Sequence, residues 1–328
     1  MSQTPDAVRR PTHLPKPRGP LSESVLAALV DGGTVPDPPA DVAATVAPED
    51  AAITLWTIYE LSYRGFAEID DDREWDPAVV TVRRALERDL EARLRERWPG
   101  RPAYDGDFAE ALFAEVGAHD GPSLARYVQT KASADQVLEL LQLRSIYHLK
   151  ESDPVSWAVP RLPTTPRAAL MELQYDEYGV GRPEALHAQL FADGMAALGL
   201  DPTEAAYVDQ VPLEILEQNN AMSLFGLNRR LRGAAVGHLA AFEATSSLPS
   251  RRMVQGLDRL GLAEEMQHYY REHVEADAVH EQLAARAICG SLLEAEPELE
   301  DDVWLGAFTC LDGEDRVAGY LLDRWGAR

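Results

Sequence analysis

Apolar residues recur along this chain at offsets of three and four, the spacing of helices packed on one face, and not at the offset of two that marks strands. From Pro48 to Gly65, Leu55, Ile58, Tyr59 and Ser62 share one side of a helix. Asp76 is placed to cap the next helix with Pro77 in its first turn. That helix carries the stripe Val79, Val82, Leu86, Leu90 and Leu94, and Pro99-Gly100 stops it. A shorter helix is expected over Phe108 to Val116. Ser133-Ala134-Asp135-Gln136 has the form of a capping box. Val137, Leu141, Arg144, His148 and Glu151 then follow on one face until Asp153-Pro154. Two further helices, Ala168 to Tyr178 and Glu184 to Leu198, flank the break Gly179-Val180-Gly181-Arg182-Pro183. A long segment runs from Leu213 to Thr245, where Gly226, Gly233 and Gly237 would allow close helix approach. Helices are also expected over Leu262 to Leu293 and Asp301 to Trp325, the latter interrupted at Asp312-Gly313. No strand alternation or hairpin signal occurs, so the fold class is all-α.

Residues 1–45 are rich in Pro, Asp and Ala and read as a flexible N-terminal arm, able to pack on the body, with one short helical stretch, Ser22 to Leu29. Residues 46–328 read as a single helical domain. It comprises auxiliary helices over 46–120, a core over 130–295 and a C-terminal helix over 301–326.

Composition narrows the function classes. The chain has 328 residues, 45% hydrophobic, and 31 basic against 55 acidic side chains give a formal charge of −24. Nucleic acids and anionic membranes both require basic patches, so neither is an expected partner. Only Cys289 and Cys310 occur, too few for a disulfide framework or a thiolate metal site. No apolar run approaches the roughly 18 residues of a membrane span, and the N-terminus lacks the apolar core of a signal peptide. The expected compartment is the cytoplasm.

The chemistry concentrates in Arg271 to Glu281, REHVEADAVHE, whose centre is His273-x-x-x-Asp277-x-x-His280. At about 100° per residue, these three side chains share one narrow helical stripe. The stripe continues into Met266 and Tyr270 on one side and Ala284 and Ile288 on the other. The polar triplet therefore points where a core should be, and groups buried there must be paired, hydrogen-bonded or metal-bound. Three other places also carry polar residues where apolar ones are expected: Glu151, Glu177 with His187, and Glu243. Glu151 or Glu243 alone reads as a helix-end carboxylate, His187 alone as a satisfied core histidine, and the triplet alone as a charged helix face. Together they offer carboxylate oxygens and imidazoles without thiolate, the ligand chemistry of non-haem iron or manganese. Such a set exceeds the four ligands of a tetrahedral zinc and suits two metals held between facing helices. Glu177 and His187 would lie roughly 80° apart on an ideal helix. The glycines between them would let the chain distort so that the pair converges; the plain alternative is an ordinary interhelical turn.

Four stretches carry a family resemblance: LWTIYELSYRGF…WDP, ESDPVSWAVPRL, MELQYDEYGVGRPEALHAQLFADGMAALGL and HVEADAVH. Over roughly residues 50 to 295 the chain resembles the iron-containing redox enzymes of the haem-oxygenase-like fold, the diiron oxidases and oxygenases. The resemblance implies a single up-and-down helical bundle with the site inside, preceded here by extra N-terminal helices. It implies that Glu151, Glu177, His187, Glu243, His273, Asp277 and His280 are ligands to two irons. The expected division is Glu151, His187 and His280 on one iron and His273, Asp277 and Glu243 on the other, with Glu177 bridging. It further implies O2 as cosubstrate, an external electron donor, a small-molecule substrate, a second iron held weakly, and neither haem nor flavin. A homodimer is compatible with these features. The full ligand set points to N-oxygenation of a small amine or amino acid in natural-product biosynthesis. Oxidative C–C cleavage or decarboxylation of an amino or fatty acid is the alternative, and a non-catalytic helical scaffold is the reading from another class. Arg144, His148, Arg229 and Arg232, close to the ligand helices, are candidates to bind a substrate carboxylate.

Overall fold

The computed structural model describes residues 14–327 and, within residues 275–278, the backbone only. Among the described residues all regular structure is helical. The main helices are α1 (Pro20–Val30), α2 (Pro48–Glu60), α3 (Pro77–Arg97), α4 (Phe108–Ala118), α5 (Ala134–His148) and α6 (Thr164–Glu177). They continue with α7 (His187–Ala197), α8 (Leu213–Leu227), α9 (Arg232–Leu260), α10 (Glu264–Gln282) and α11 (Glu300–Arg324).

Local chemistry sets many of the boundaries. The Asp76 side chain accepts from Ala78 N ahead of Pro77, and Ser133 and Gln136 form the reciprocal capping box that starts α5. Helix α9 ends at Gly261 in the left-handed conformation. The stripe of α10 is buried as its spacing predicts: Met266, Tyr270, Ala284 and Ile288 all lie in the core. Past Gln282 the helix loosens into a π-helical stretch, Leu283–Gly290, before a last α-turn.

Five expectations are corrected. Residues 14–45 are no loose arm. Leu21, Val25, Leu29, Val35 and Val42 join the core, and the Asp50 carboxylate accepts from Leu21 N and Ser22 N. Apolar burial and that cap outweigh the Pro-rich composition; residues 1–13 of the expected arm lie outside the described residues. The segment from Leu213 to Thr245 breaks at Asn228, whose extended backbone ends α8 before a 3-10 turn leads into α9. Helix α5 stops at His148, so Glu151 sits in the turn that follows and not on the helix. The helix after the Gly-rich break begins at His187, not at Glu184, because Pro183 starts a separate 3-10 turn. Helix α11 runs through Asp312-Gly313 without interruption, since its flanks Cys310 and Val317 are anchored in the core.

Helix α11 is also part of the bundle and not an appendage to it. It packs along α9, where a Cβ at Gly237 would run into Val303 O and one at Gly306 into Ala234 O. Two backbones thus touch through reciprocal glycines. Helices α7 and α10 run antiparallel in a fixed register. Gly194 lies over Met266, Phe191 packs edge-on against Tyr269 at 5.0 Å between centroids, and His187 faces His273 at 4.7 Å.

Candidate metal centre

That register delivers His187 and His273 to the same level, and the turn after α5 brings Glu151 to them. Coordinating atoms of Glu151, His187 and His273 lie within 4.8 Å of one another, as do those of Glu177, Glu243 and His280. Glu177 ends α6, Glu243 comes from the middle of α9, and His280 lies two turns beyond His273 on α10. The two groups meet at Glu177, whose Oε2 is 3.1 Å from His187 Nδ1 and whose Oε1 is 3.4 Å from His280 Nδ1. His280 Nδ1 also lies 3.6 Å from Glu243 Oε2, and His273 Nε2 lies 3.7 Å from Glu151 Oε1.

The structure therefore gathers six of the seven ligand candidates; the side chain of Asp277 lies outside the described residues. It corrects their division. His273, not His280, stands with Glu151 and His187, and His280 stands with Glu243. The reason is length: seven helical residues span about 10 Å, so the two histidines of α10 serve opposite ends of the site.

The break between Glu177 and His187 is a pair of 3-10 turns. Gly179, Val180 and Gly181 all have positive φ, at 72°, 49° and 81°. A Cβ at Gly179 would collide with the Ala185–Leu186 backbone. Glycine is required there by both conformation and space, and the chain doubles back tightly enough to put Glu177 and His187 side by side.

A shell of hydrogen bonds aims these side chains. His273 Nδ1 donates to Tyr269 O at 2.9 Å, which leaves Nε2 facing Glu151. Tyr269 OH donates to Glu151 Oε2 at 2.8 Å and lies 2.8 Å from His148 Nδ1. Ser152 donates to Glu177 Oε2 at 2.9 Å. His280 Nε2 donates to Asp176 Oδ2 at 2.8 Å, which turns Nδ1 inward. Asp176, Tyr269 and Ser152 escape the sequence reading. Tyr269 alone had a signal, since it lies four residues before His273 on the same stripe.

The cluster is buried and its titration is strongly perturbed. Burial would raise the Glu151 carboxyl, but His148 and His273 outweigh it and hold the group well below the usual carboxylate range. Burial would likewise raise Glu177, and His187 overrides it, so Glu177 is lowered. Glu243 is raised by burial, reinforced by the Glu177 charge. Against burial, Glu151 and then Glu177 push His273 up to about 10, while Glu243, Glu177 and Asp176 push His280 up to about 9.

The donor set fits a metal. It is oxygen and imidazole with no thiolate, and Cys289 and Cys310 are buried elsewhere. Glu151 Oε1 and His187 Nδ1 are buried without a hydrogen-bond partner, although each has an oppositely charged group within 3.1 to 3.7 Å. Misaligned, unsatisfied donors that converge from different helices are what a coordinated ion would satisfy.

None of the four substrate candidates lines the cavity beside the ligands. Arg144 is taken up by Glu314 at 2.8 Å, and Arg232 by Glu296 at 2.6 Å. Arg229 is exposed. His148 stands behind Glu151, bound to Tyr269. Proximity in sequence to a ligand helix says nothing of the direction a side chain takes.

An all-helical bundle enclosing carboxylates and imidazoles in two converging groups is the architecture of a non-haem metal enzyme. The match to known sequences agrees: residues 138–315 fit the family described as iron-containing redox enzyme. This chain belongs to that family and is an oxidoreductase. It is similar to 4-chloro-allylglycine synthase of Streptantibioticus cattleyicolor, with 23% identity over 185 residues, covering 56% of this chain and 70% of that one. Among solved structures it is similar in fold to a CADD-like protein of unknown function from Nostoc punctiforme. One structure of that protein gives a TM-score of 0.50 at 16% identity, covering 66% of this chain and 95% of that one. No helix among the described residues is long and apolar enough to cross a membrane.

Proposed function

We propose that the protein is a diiron enzyme that uses O2 to oxygenate the nitrogen of a small amine or amino acid in natural-product biosynthesis. The observation that carries this reading is the pair of buried groups, Glu151/His187/His273 and Glu177/Glu243/His280, joined through the two oxygens of Glu177. Each group would hold one iron, Glu177 would span them, and Asp277 is the remaining candidate ligand. Bound iron supplies the activation of O2. The chain's own residues aim the ligands through Tyr269, Ser152 and Asp176, and Phe242, Leu239 and Val155 give the cavity beside them an apolar wall. Conversion of an amine to a hydroxylamine places one oxygen atom of O2 on nitrogen and releases the other as water. It consumes two protons and two electrons, which an external donor must provide.

A second reading is oxidative C–C cleavage that leaves an alkene. It is favoured by one observation: the relative from Streptantibioticus is named for making an amino acid with an allyl side chain. Anaerobic Fe(II) loading followed by metal analysis tests the site, with about two irons per chain expected. No uptake, or uptake unchanged in His273→Ala and His280→Ala, would sink the metal assignment. Exposure of the loaded protein to O2 with amines and amino acids then separates the chemistries. Hydroxylamine, nitroso or nitro products support N-oxygenation, and a shortened or alkene product supports cleavage.

A further inference from the structure

The metal site opens on a cavity that extends well past it. Near the ligands its walls include Gln174, Glu177, Glu243 and His273. Tyr147, Glu151, Val155, Leu239 and Phe242 line both this part and its continuation. The continuation is narrow, with a cavity volume of about 30 Å³, and adds Met222, Phe225, Ala235 and Pro154 to the walls. One polar side chain beyond the shared wall stands among these apolar groups, His238.

His238 is only 6% exposed, and its Nε2 is buried without a hydrogen-bond partner. A buried imidazole nitrogen in apolar surroundings costs free energy unless something else satisfies it. Nothing in the metal site does so: His238 belongs to neither group of ligands. Among the described residues no lysine or arginine lines either part of the cavity. Among those residues the far end of the cavity offers a hydrogen bond and no positive charge to pair with a carboxylate.

We propose that this cavity is the substrate pocket and that His238 anchors the end of the substrate remote from the metals. The substrate class that follows is an amine on an apolar stem whose far end carries an uncharged hydrogen-bonding group, such as a hydroxyl. Burial pushes the His238 imidazole down to about 4, so it meets the substrate as a neutral ring. A carboxylate at that end would lie in an apolar pocket without a counter-ion, which is strongly disfavoured. The aromatic faces of Phe225, Phe242 and Tyr147 suit a flat or extended stem.

The amine head group rests on the N-oxygenation reading; the anchoring role of His238 does not. Calorimetric titration of the full chain, both metal-free and loaded with Fe(II) without oxygen, tests it with two probe series. One is tyramine, phenethylamine and 4-(2-aminoethyl)benzoate; the other is 6-aminohexan-1-ol, hexylamine and 6-aminohexanoate. In at least one series the hydroxylated member should bind about tenfold more tightly than the unsubstituted one, the worth of one buried hydrogen bond, and the carboxylate should bind worst. His238→Leu should abolish the preference for the hydroxyl and His238→Gln should keep it, with His238→Phe as a second apolar replacement if the leucine variant does not fold. Failure of both series to bind overturns the proposal, as does tightest binding by a carboxylate or a preference untouched by the apolar variants. Amine oxidation with no dependence on His238 overturns this inference alone. Tail selectivity set by His238 without any amine oxidation supports it and removes the N-oxygenation reading instead.

Discussion

Replacement of Tyr269 by phenylalanine tests whether the shell around Glu151 shapes one metal position and leaves the other alone. The hydroxyl is fully buried, donates to Glu151 Oε2 at 2.8 Å and lies 2.8 Å from His148 Nδ1. A hydroxyl has one proton to give, so if it serves Glu151 it must accept from His148. Burial lowers the His148 pKa, and a neutral ring with its proton on Nδ1 suits that role. Tyr269→Phe deletes both bonds in one step. A hydrogen bond to a buried carboxylate contributes about 1.5–3 kcal/mol, which corresponds to the ~10–100-fold loss of metal affinity typical of a lost outer partner. Part of this is recoverable, since His148 Nδ1 is already 3.3 Å from Glu151 Oε2 and can close on it directly. The lower half of the range is therefore expected. His273 supplies an internal control, because it is oriented by the Tyr269 carbonyl and not by the hydroxyl. Anaerobic Fe(II) titration should show weakening of about tenfold at one of two sites and no change at the other. Equal weakening of both, or of neither, would refute the claim that Tyr269 acts through Glu151 on a separate position.

Four other outcomes follow from the same geometry. Asp176→Asn weakens the charge-assisted hold on His280 Nε2, so affinity should fall by about tenfold at the Glu177/Glu243/His280 position and not at its neighbour, read by the same titration. Metal loading should release protons. His273 and His280 are held protonated up to about 10 and about 9 in the metal-free protein, whereas ligation needs neutral rings. Calorimetry at pH 7.5 in two buffers of different ionisation heat should give one to two protons released and an affinity that rises with pH. Both histidine pKa values are raised above the ordinary 6.5, so their contribution to metal-free stability is complete below about 6.5 and is lost as the pH climbs through 9 to 10. Melting temperature against pH, with and without metal, checks that sign. Finally, Gly237→Val should cost about 3 kcal/mol or more in urea unfolding, because any side chain there meets the α11 backbone at Val303 and neither helix can yield alone; a loss under about 1 kcal/mol would mean the helices slide apart freely.

The helices were legible in the sequence because packing on one face imposes a period, and the ligands because polar residues interrupt it. Glu177, His187, Glu243, His273 and His280 all stand out as charges or imidazoles on buried stripes, and the structure buries all five. Glu151 stood out for a partly wrong reason. It continues the period of α5 on paper, but the helix has ended at His148, and a turn delivers the carboxylate to the same place. The Pro-rich composition of residues 14–45 concealed apolar positions that pack, because composition averages over the few residues that decide burial.

What no spacing could supply is the register between elements that run in opposite directions. HxxxDxxH fixes a stripe on α10 without saying which end faces which neighbour. The antiparallel pairing of α7 with α10, Gly194 over Met266, Phe191 on Tyr269 and His187 opposite His273, settles that. Continued along α10, the same register carries His280 past the start of α7 to the Gly-rich break, where the end of α6 presents Asp176 and Glu177. His273 is therefore committed to Glu151 and His187, and His280 to Glu177 and Glu243. The positive-φ turn at Gly179–Gly181 thus does more than join two helices. It holds the α6 carboxylates level with one histidine of α10 and His187 level with the other, so a single carboxylate, Glu177, can face both His280 and His187.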